Sequence, residues 1–323
     1  MLTSSTFRRP LRNLVAIATA LLLALAATAC GGNDTTSKSE SGELKVGWLP
    51  FAGLGGWQLA LDKGYFEDSG LKVKKVELRT PADVVPNLLN GTIDFSALNP
   101  GNLAQALAQG LKLKIIGTTY MVNNDMSILS MKDSGITKPK DLEGKKVGLI
   151  QLQNNNHAAL LKTLENDGVD VNSIKFVLIP ATEMPAALRS GQIDAGHVLY
   201  PLAATMAGET NTVIENMTEP YGEQPVQAYN IVSAKFAAEN PQLVDKLRSV
   251  LARGNQLASS DKEALITAIA EITGAPEGLI RTSKLPAFGT DLKIESSQHE
   301  LELMTKYGFL KDPVKLADYV DES

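Results

Sequence analysis

One short pattern occurs twice in this chain, and it constrains the fold more than any other feature. Residues 84–94 read V-V-P-N-L-L-N-G-T-I-D, and residues 184–194 read M-P-A-A-L-R-S-G-Q-I-D. In each copy an apolar helical pattern stops at a glycine, Gly91 or Gly191, which suits a left-handed helix end. An Ile-Asp pair then opens an apolar run, ending in Asp94 or Asp194, and a proline follows that run: Pro100 in the first copy, Pro201 in the second. A chain that repeats this unit predicts two lobes of like architecture, and 323 residues suffice for two.

Around the repeat, strand and helix signals alternate. Strands are expected at 44–49, 71–78, 93–98 and 113–118, with helices at 56–66, 82–89 and 101–109 between them. A second series follows: strand 145–150, helix 155–166, strand 174–179, helix 183–189, and a strand at 229–233 returning to the first lobe. Repeated βα units predict an α/β fold. Each lobe is a mostly parallel sheet flanked by helices, and two strands form the hinge between lobes. Lobe one is expected to take residues 43–125 and 232–323, lobe two residues 126–231. Two amphipathic stripes, Leu243, Leu247, Val250, Leu251 and Leu257, then Leu265, Ile266, Ile269 and Ile272, predict helices that cover lobe one.

The amino terminus reads differently. Arg8, Arg9 and Arg12 precede an apolar stretch from Leu14 to Ala27, too short for an ordinary spanning helix and of the length of a signal-peptide core. It closes on Ala27-Thr28-Ala29-Cys30. Cys30 is the single cysteine of the chain, so neither an internal disulfide nor a cysteine-rich zinc site is available. Small residues before Cys30 resemble the bacterial lipobox, which implies removal of residues 1–29 and acylation of the Cys30 thiol. Residues 30–42 are small and polar and predict a flexible tether. The net charge of −5 excludes the basic footprint of a nucleic-acid binder.

Several strings resemble a known family: Gly47-Trp48-Leu49-Pro50-Phe51, then Lys63-Gly64-Tyr65-Phe66-Glu67 with Gly70-Leu71, and Asp141-Leu142-Glu143-Gly144-Lys145-Lys146-Val147-Gly148. They are similar to the type II periplasmic-binding-protein-like solute-binding proteins of the nitrate, sulfonate and taurine importer group, with pyrimidine-precursor binders beside them. The resemblance implies a small-molecule ligand held between the lobes and delivery to an ABC permease with its ATPase. It implies an exported monomer on the outer face of the cytoplasmic membrane, without cofactor or metal.

Ligands of open α/β sheets bind beyond the carboxyl ends of the strands, where helix amino termini offer free N–H groups and about half a positive charge each. The expected ligand-binding residues therefore lie in post-strand loops. The first loop offers Phe51, Gly53, Gly55, Gly56 and Trp57, as an apolar wall with close backbone approach or as a plain turn with Trp57 packed beneath the helix. The second offers Asn99, Pro100 and Gly101, either at the ligand or as a helix cap. Thr118, Thr119 and Tyr120 stand beside the crossover, for ligand orientation or hinge packing. Gln151, Asn154, Asn155, Asn156 and His157 replace the Gly/Ser-rich turn common in relatives, and bring amide and imidazole groups that bind an oxyanion or a heterocycle edge. Tyr200 and Tyr229 are further aromatic candidates, while Glu183 reads as a dipole partner in its helix.

Catalysis finds little support. No G-x-S-x-G, H-E-x-x-H or P-loop string occurs, and His157, His197 and His299 lack metal-ligand spacing. A small organic anion of sulfonate, taurine or carboxylate type is the expected ligand. A pyrimidine-like heterocycle is the alternative; from other classes, a menaquinone-pathway-like enzyme or a ligand sensor.

Overall fold

The computed structural model describes residues 43–312 and 314–322. The expected signal sequence, lipobox and tether lie outside them.

In chain order the first half lays down β1 (Glu43–Trp48), α1 (Gly55–Asp62), α2 (Tyr65–Asp68), β2 (Lys72–Glu77), α3 (Val84–Leu89), β3 (Phe95–Leu98), α4 (Pro100–Ala108) and β4 (Leu113–Met121). The second series is β5 (Met126–Met131), β6 (Lys146–Leu149), α5 (Asn155–Asn166), β7 (Lys175–Leu178), α6 (Met184–Arg189), β8 (Ala195–Leu199) and β9 (Thr210–Ile214). The chain then returns through β10 (Val226–Ser233) and ends in α7 (Ala234–Glu239), α8 (Pro241–Ser260), α9 (Lys262–Thr273), α10 (Glu277–Arg281) and α11 (Ile294–Lys306).

Two five-stranded sheets result, β2-β1-β3-β10-β4 and β7-β6-β8-β5-β9. In each, one strand runs against the others: β10 is antiparallel to β3 and β4, and β5 is antiparallel to β8 and β9. These are the strands that enter from the other half of the chain. The two crossovers, residues 122–125 and 215–225, are thus the hinge expected from the sequence. The return strand starts earlier than the sequence boundary at 232: β10 begins at Val226 and lies wholly in the first sheet.

The repeated Ile-Asp pair has a structural cause. Asp94 Oδ2 accepts from the Lys45 backbone N–H at 2.7 Å, and the Asp94 N–H donates to the Lys45 carbonyl at 2.7 Å. Asp194 repeats both bonds with Lys146, at 2.8 Å each. Each aspartate therefore fastens the helix-to-strand return to the strand it will lie beside. Gly91 and Gly191 carry the preceding turns at φ of 75° and 71°, where other residues are strained.

Helices cover both faces of each sheet. Leu247, Val250 and Leu251 of α8 pack with Trp48 and Trp57 on one face of the first sheet. Each such buried side chain is worth about 1.5–3 kcal/mol. The other face packs Leu103 and Leu107 of α4 with Leu301 and Met304 of α11, and two residues of α5, Ala158 and Ala159, join that same cluster. The second sheet packs Leu160 and Leu164 of α5 on one face and Met184 and Leu188 of α6 on the other. One helix, α5, therefore belongs to the cores of both halves.

Removing the repeated carboxylate tests its role. Asp194→Ala is expected to lower the unfolding free energy by about 1.5–3 kcal/mol, the range for hydrogen bonds to charged groups. Urea titration reads this directly, and a loss below about 0.5 kcal/mol would show that the tie carries no stability.

Candidate functional site

The loops after β3 and β6, one from each sheet, meet at the amino ends of α4 and α5. Asn99 is extended (φ −71°, ψ 155°) and its side chain accepts from the Asn102 N–H at 2.7 Å, with Pro100 at the first helical position. Asn154 caps α5 in the same way, accepting from the His157 N–H at 3.0 Å, while its amide donates to Gln151 Oε1 at 3.1 Å. The two ends touch: a Cβ on Gly101 would lie 2.8 Å from the Asn155 nitrogen. Only glycine allows that approach.

Polar side chains tie the junction together. Gln151 and Asn102 exchange amide hydrogen bonds, at 2.9 Å and 3.3 Å. Gln105 Nε2 donates to the Gln153 carbonyl at 2.9 Å. Asn155 Nδ2 donates to Glu300 Oε2 at 2.7 Å, and the Tyr221 hydroxyl donates to the Asn155 carbonyl at 2.6 Å. Two helix amino termini thus converge, each with about half a positive charge and first-turn N–H groups that have no intrahelical acceptor. No Lys or Arg occurs in residues 50–57, 99–108, 150–157 or 199–202. Electropositive character at this junction therefore comes from backbone, not from cations.

Aromatic groups flank the same sheet edges. Phe51 is half-buried, with its ring 5.8 Å from that of Tyr120. Gly53 exists for that pair, because a Cβ there would fall against the Tyr120 ring. Burial, with Asp125 adding to it, pushes the Tyr120 hydroxyl far above its ordinary range, so it stays a neutral donor. Tyr200 is half-buried beside the α6 cluster and joins Pro201 by a cis peptide.

Several of the expected ligand contacts have structural partners within the domain. Trp57 is 1% exposed, donates to Asn230 Oδ1 at 3.1 Å and packs 5.0 Å from Phe95. Gly55 and Gly56 face Leu265 and Asn255, so they allow α1 to approach α9 and α8. The Thr118 hydroxyl donates to the Asp291 carbonyl at 2.8 Å, and the Thr119 hydroxyl to Asn230 Oδ1 at 2.7 Å. Tyr229 is fully buried and donates to Leu292 O and Ser297 Oγ. The four side chains among them, Trp57, Thr118, Thr119 and Tyr229, follow β1 or lie along β4 and β10 and are turned into the first domain.

His157 is buried rather than solvated. Its ring lies between Phe176 and Phe309, and Nδ1 accepts from the Gln153 N–H at 3.0 Å. The proton of the neutral ring therefore sits on Nε2, which is buried without a partner, as is His197 Nε2 in β8. Asn156 Oδ1 is buried and unpartnered as well.

Sequence reasoning missed Asn102, Gln105, Tyr221 and Glu300. Gln105 stands one helical turn from Asn102, and that spacing was the available signal. Glu300 lies beside the apolar Leu301, Leu303 and Met304. Two cavities lie elsewhere: one of about 270 Å³ behind β4, between Thr118 and Arg248, and a polar one of about 500 Å³ between the crossovers, lined by Asn123, Asn216 and Glu219. Among the described residues, no group of three or more His, Cys, Asp or Glu is placed to hold a metal.

Two mixed α/β domains with paired strand orders and helices on both faces define a periplasmic-binding-protein fold. The chain belongs to the NMT1/THI5-like family, whose profile matches residues 54–264. It is 26% identical over 245 residues to a putative aliphatic sulfonates-binding protein of Bacillus subtilis, covering 73% of this chain and 70% of that one. The alkanesulfonate-binding protein SsuA from Xanthomonas axonopodis pv. citri, solved with MOPS, shares the fold at a TM-score of 0.73 and 22% identity, across 87% of this chain and 98% of SsuA. A shorter match, 33% over 93 residues, covers 28% of this chain and 27% of a 4-amino-5-hydroxymethyl-2-methylpyrimidine phosphate synthase of Aspergillus parasiticus.

The two buried histidines make a pH prediction. Burial lowers the pKa of each to about 4. In the unfolded chain they titrate near 6.5, so between about pH 6.5 and 4 the unfolded state binds more protons, and stability falls with pH across that window. His197→Leu is expected to remove about 2–3 kcal/mol of the stability lost between about pH 7.5 and 4.5. Chemical denaturation at the two pH values measures this, and superimposable acid limbs would refute it.

Proposed function

We propose that this chain captures a small organic anion, of sulfonate, taurine or carboxylate type, where the carboxyl edges of its two sheets meet, and delivers it to the permease of an ABC importer. One observation carries the reading: helix amino termini from both sheets converge at Gly101 and Asn155, in loops without a cation. Backbone dipoles hold a small anion there without the desolvation that a buried Lys or Arg would require. The amides of Asn102 and Gln151 supply orientation, and Phe51, Tyr120 and Tyr200 supply apolar cover for an organic tail. The similarity to sulfonate-binding proteins supports the same class.

A ligand touching both sheets favours the state in which they are closed, by its difference in affinity for the two states. The mutual bonding of Asn102 and Gln151 supports the reading that a bound ligand engages them from either side. The similarity to a putative aliphatic sulfonates-binding protein supports a non-enzymatic role. In the wider reading, residues 1–29 direct export, Cys30 carries the lipid, residues 30–42 form the tether, and the permease with its ATPase is the partner of a monomeric protein. A mature amino terminus other than acylated Cys30, read by mass spectrometry of membrane-extracted protein, would refute the anchor.

The second reading is a pyrimidine-like heterocycle. It rests on the synthase match and on the paired amides, which present donor and acceptor side by side as a ring edge requires.

A thermal-shift screen across sulfonates, carboxylates and aminopyrimidines separates the two, since a ligand of the folded form alone raises the melting point. Sulfonates are expected to give the largest shifts. Gln151→Ala is expected to weaken the best hit about tenfold, or about 1.4 kcal/mol. Shifts confined to pyrimidines, or a Gln151→Ala affinity equal to wild type, would overturn the anion site.

A further inference from the structure

Glu300 has no place in the function proposed above, yet it lies directly behind the converging helix ends. Its side chain is fully buried on α11. The hydrogen bond it receives is from Asn155 Nδ2, at 2.7 Å to Oε2. Its other oxygen, Oε1, is buried without a partner, and so is Asn155 Oδ1. Two acceptors of one side-chain pair are thus orphaned together, a state that costs free energy for each. A single proton resolves both: carried on Oε1, it turns one acceptor into a donor, and acid and amide then satisfy each other in a two-bond ring.

The surroundings favour that proton. α4 contains no ionisable residue. On α5, Asn155 faces the carboxyl, His157 is neutral, and Glu165 is paired with Lys306. The second crossover brings Glu219 and Tyr221, β10 brings Tyr229, and the segment 315–319 brings the Lys315–Asp318 ion pair and Tyr319. On α11 itself His299 is paired with Glu302, and Lys293, ahead of the helix, donates to the carbonyls of Glu223 and Gln224. None of these gives Glu300 a positive partner. Burial accordingly holds its carboxyl well above the usual carboxylate range, against the smaller pull of the Asn155 amide.

We propose that Glu300 is a positioning residue carried as the neutral acid: paired with Asn155, it fixes the amino end of α5 against α4 and leaves the helix dipoles there uncompensated for an anion. The last clause rests on the anion reading; the first does not. An ionised Glu300 would place a negative charge behind the N–H groups that hold the ligand. The neutral acid avoids this while keeping the geometry, and glutamine is its uncharged isostere.

The test compares wild type with Glu300→Gln by chemical denaturation from about pH 5 to about pH 8. A raised carboxyl binds more protons folded than unfolded, so its contribution falls as pH rises above the unfolded value near 4.3. The advantage of Glu300→Gln over wild type should therefore grow with pH, by up to tenfold in the folded-to-unfolded ratio per unit. A pH-independent difference overturns the proposal. Infrared spectra of wild type with isotope-labelled glutamate provide a measurement that does not need the variant: a buried carboxylic-acid carbonyl band near neutral pH is expected, and its absence refutes the neutral acid. A binding arm uses ethanesulfonate, which stays ionised throughout. Its affinity is expected to stay constant from about pH 5 to about pH 8 and to be matched by Glu300→Gln; a Glu300→Gln affinity well above wild type near neutral pH, as removal of an ionised carboxylate would give, overturns the electrostatic part of the role. If ethanesulfonate fails to bind at every pH, the anion reading falls, while the denaturation and infrared results still decide the state of Glu300.

Discussion

The contact on which the rest of the molecule depends is the meeting of α5 with α4 and α11. A helix that follows a strand of one sheet has its amino end locked against the helices of the other. Ala158 and Ala159 enter the core of the first domain, while Leu160 and Leu164, further along the same helix, enter the second. Small residues on one face and large ones on the other let α5 approach α11 closely without leaving its own sheet. Two like-signed helix ends are brought together in the process, which is electrostatically unfavourable on its own. The fold accepts that cost at one location, and such a location is where an external anion gains most.

Sheet construction explains how two halves so joined can still hinge. Each sheet takes its one antiparallel strand from the opposite half, so each domain is completed only when the chain has crossed over. Each crossover leaves from the edge strand of one sheet, β4 or β9, and enters the interior of the other through β5 or β10, with β4 and β10 paired along most of their length. Residues 122–125 and 215–225 are the two chain connections between the sheets. Lys293 donates to two carbonyls of the second crossover, and Asn123 in the first donates to the Leu285 carbonyl. The segment between α10 and α11 therefore braces both.

How much of this was legible in the sequence depended on the range of the interaction. Local signals held: Asn99-Pro100 and Asn154 cap their helices as their chemistry requires, and Gly91 and Gly191 end theirs. The repeated Asp94 and Asp194 announced two like units, although their backbone bonds to Lys45 and Lys146 were not readable, since the partner lies about 50 residues away. Side-chain direction was the weak point. Trp57, Thr118, Thr119 and Tyr229 sit near sheet ends by position, and strand alternation with helix phase turned them inward. His157 looked like a polar ligand group and proved to be a buried ring between two phenylalanines, one of them more than a hundred residues away in sequence. Glu300 was invisible for the opposite reason: an acid on an amphipathic helix, as Glu295 and Glu302 also are on α11, ordinarily faces water, and its burial follows from α5 crossing over it.

These particulars bear on why the junction uses amides where cations would bind an anion more strongly. A lysine among Asn102, Gln151 and Asn155 would be desolvated whenever the halves closed without cargo, and its charge would then oppose closure. Amides pair with each other instead, as Asn102 and Gln151 do, so these two side chains are satisfied without a ligand and the charge the junction offers is fixed in the backbone. A carrier must release what it captures. On the proposed reading, an anion held by dipoles whose orientation depends on the approach of two helix ends would have its affinity set by that approach, and separation of the ends would weaken it without any group having to titrate or leave.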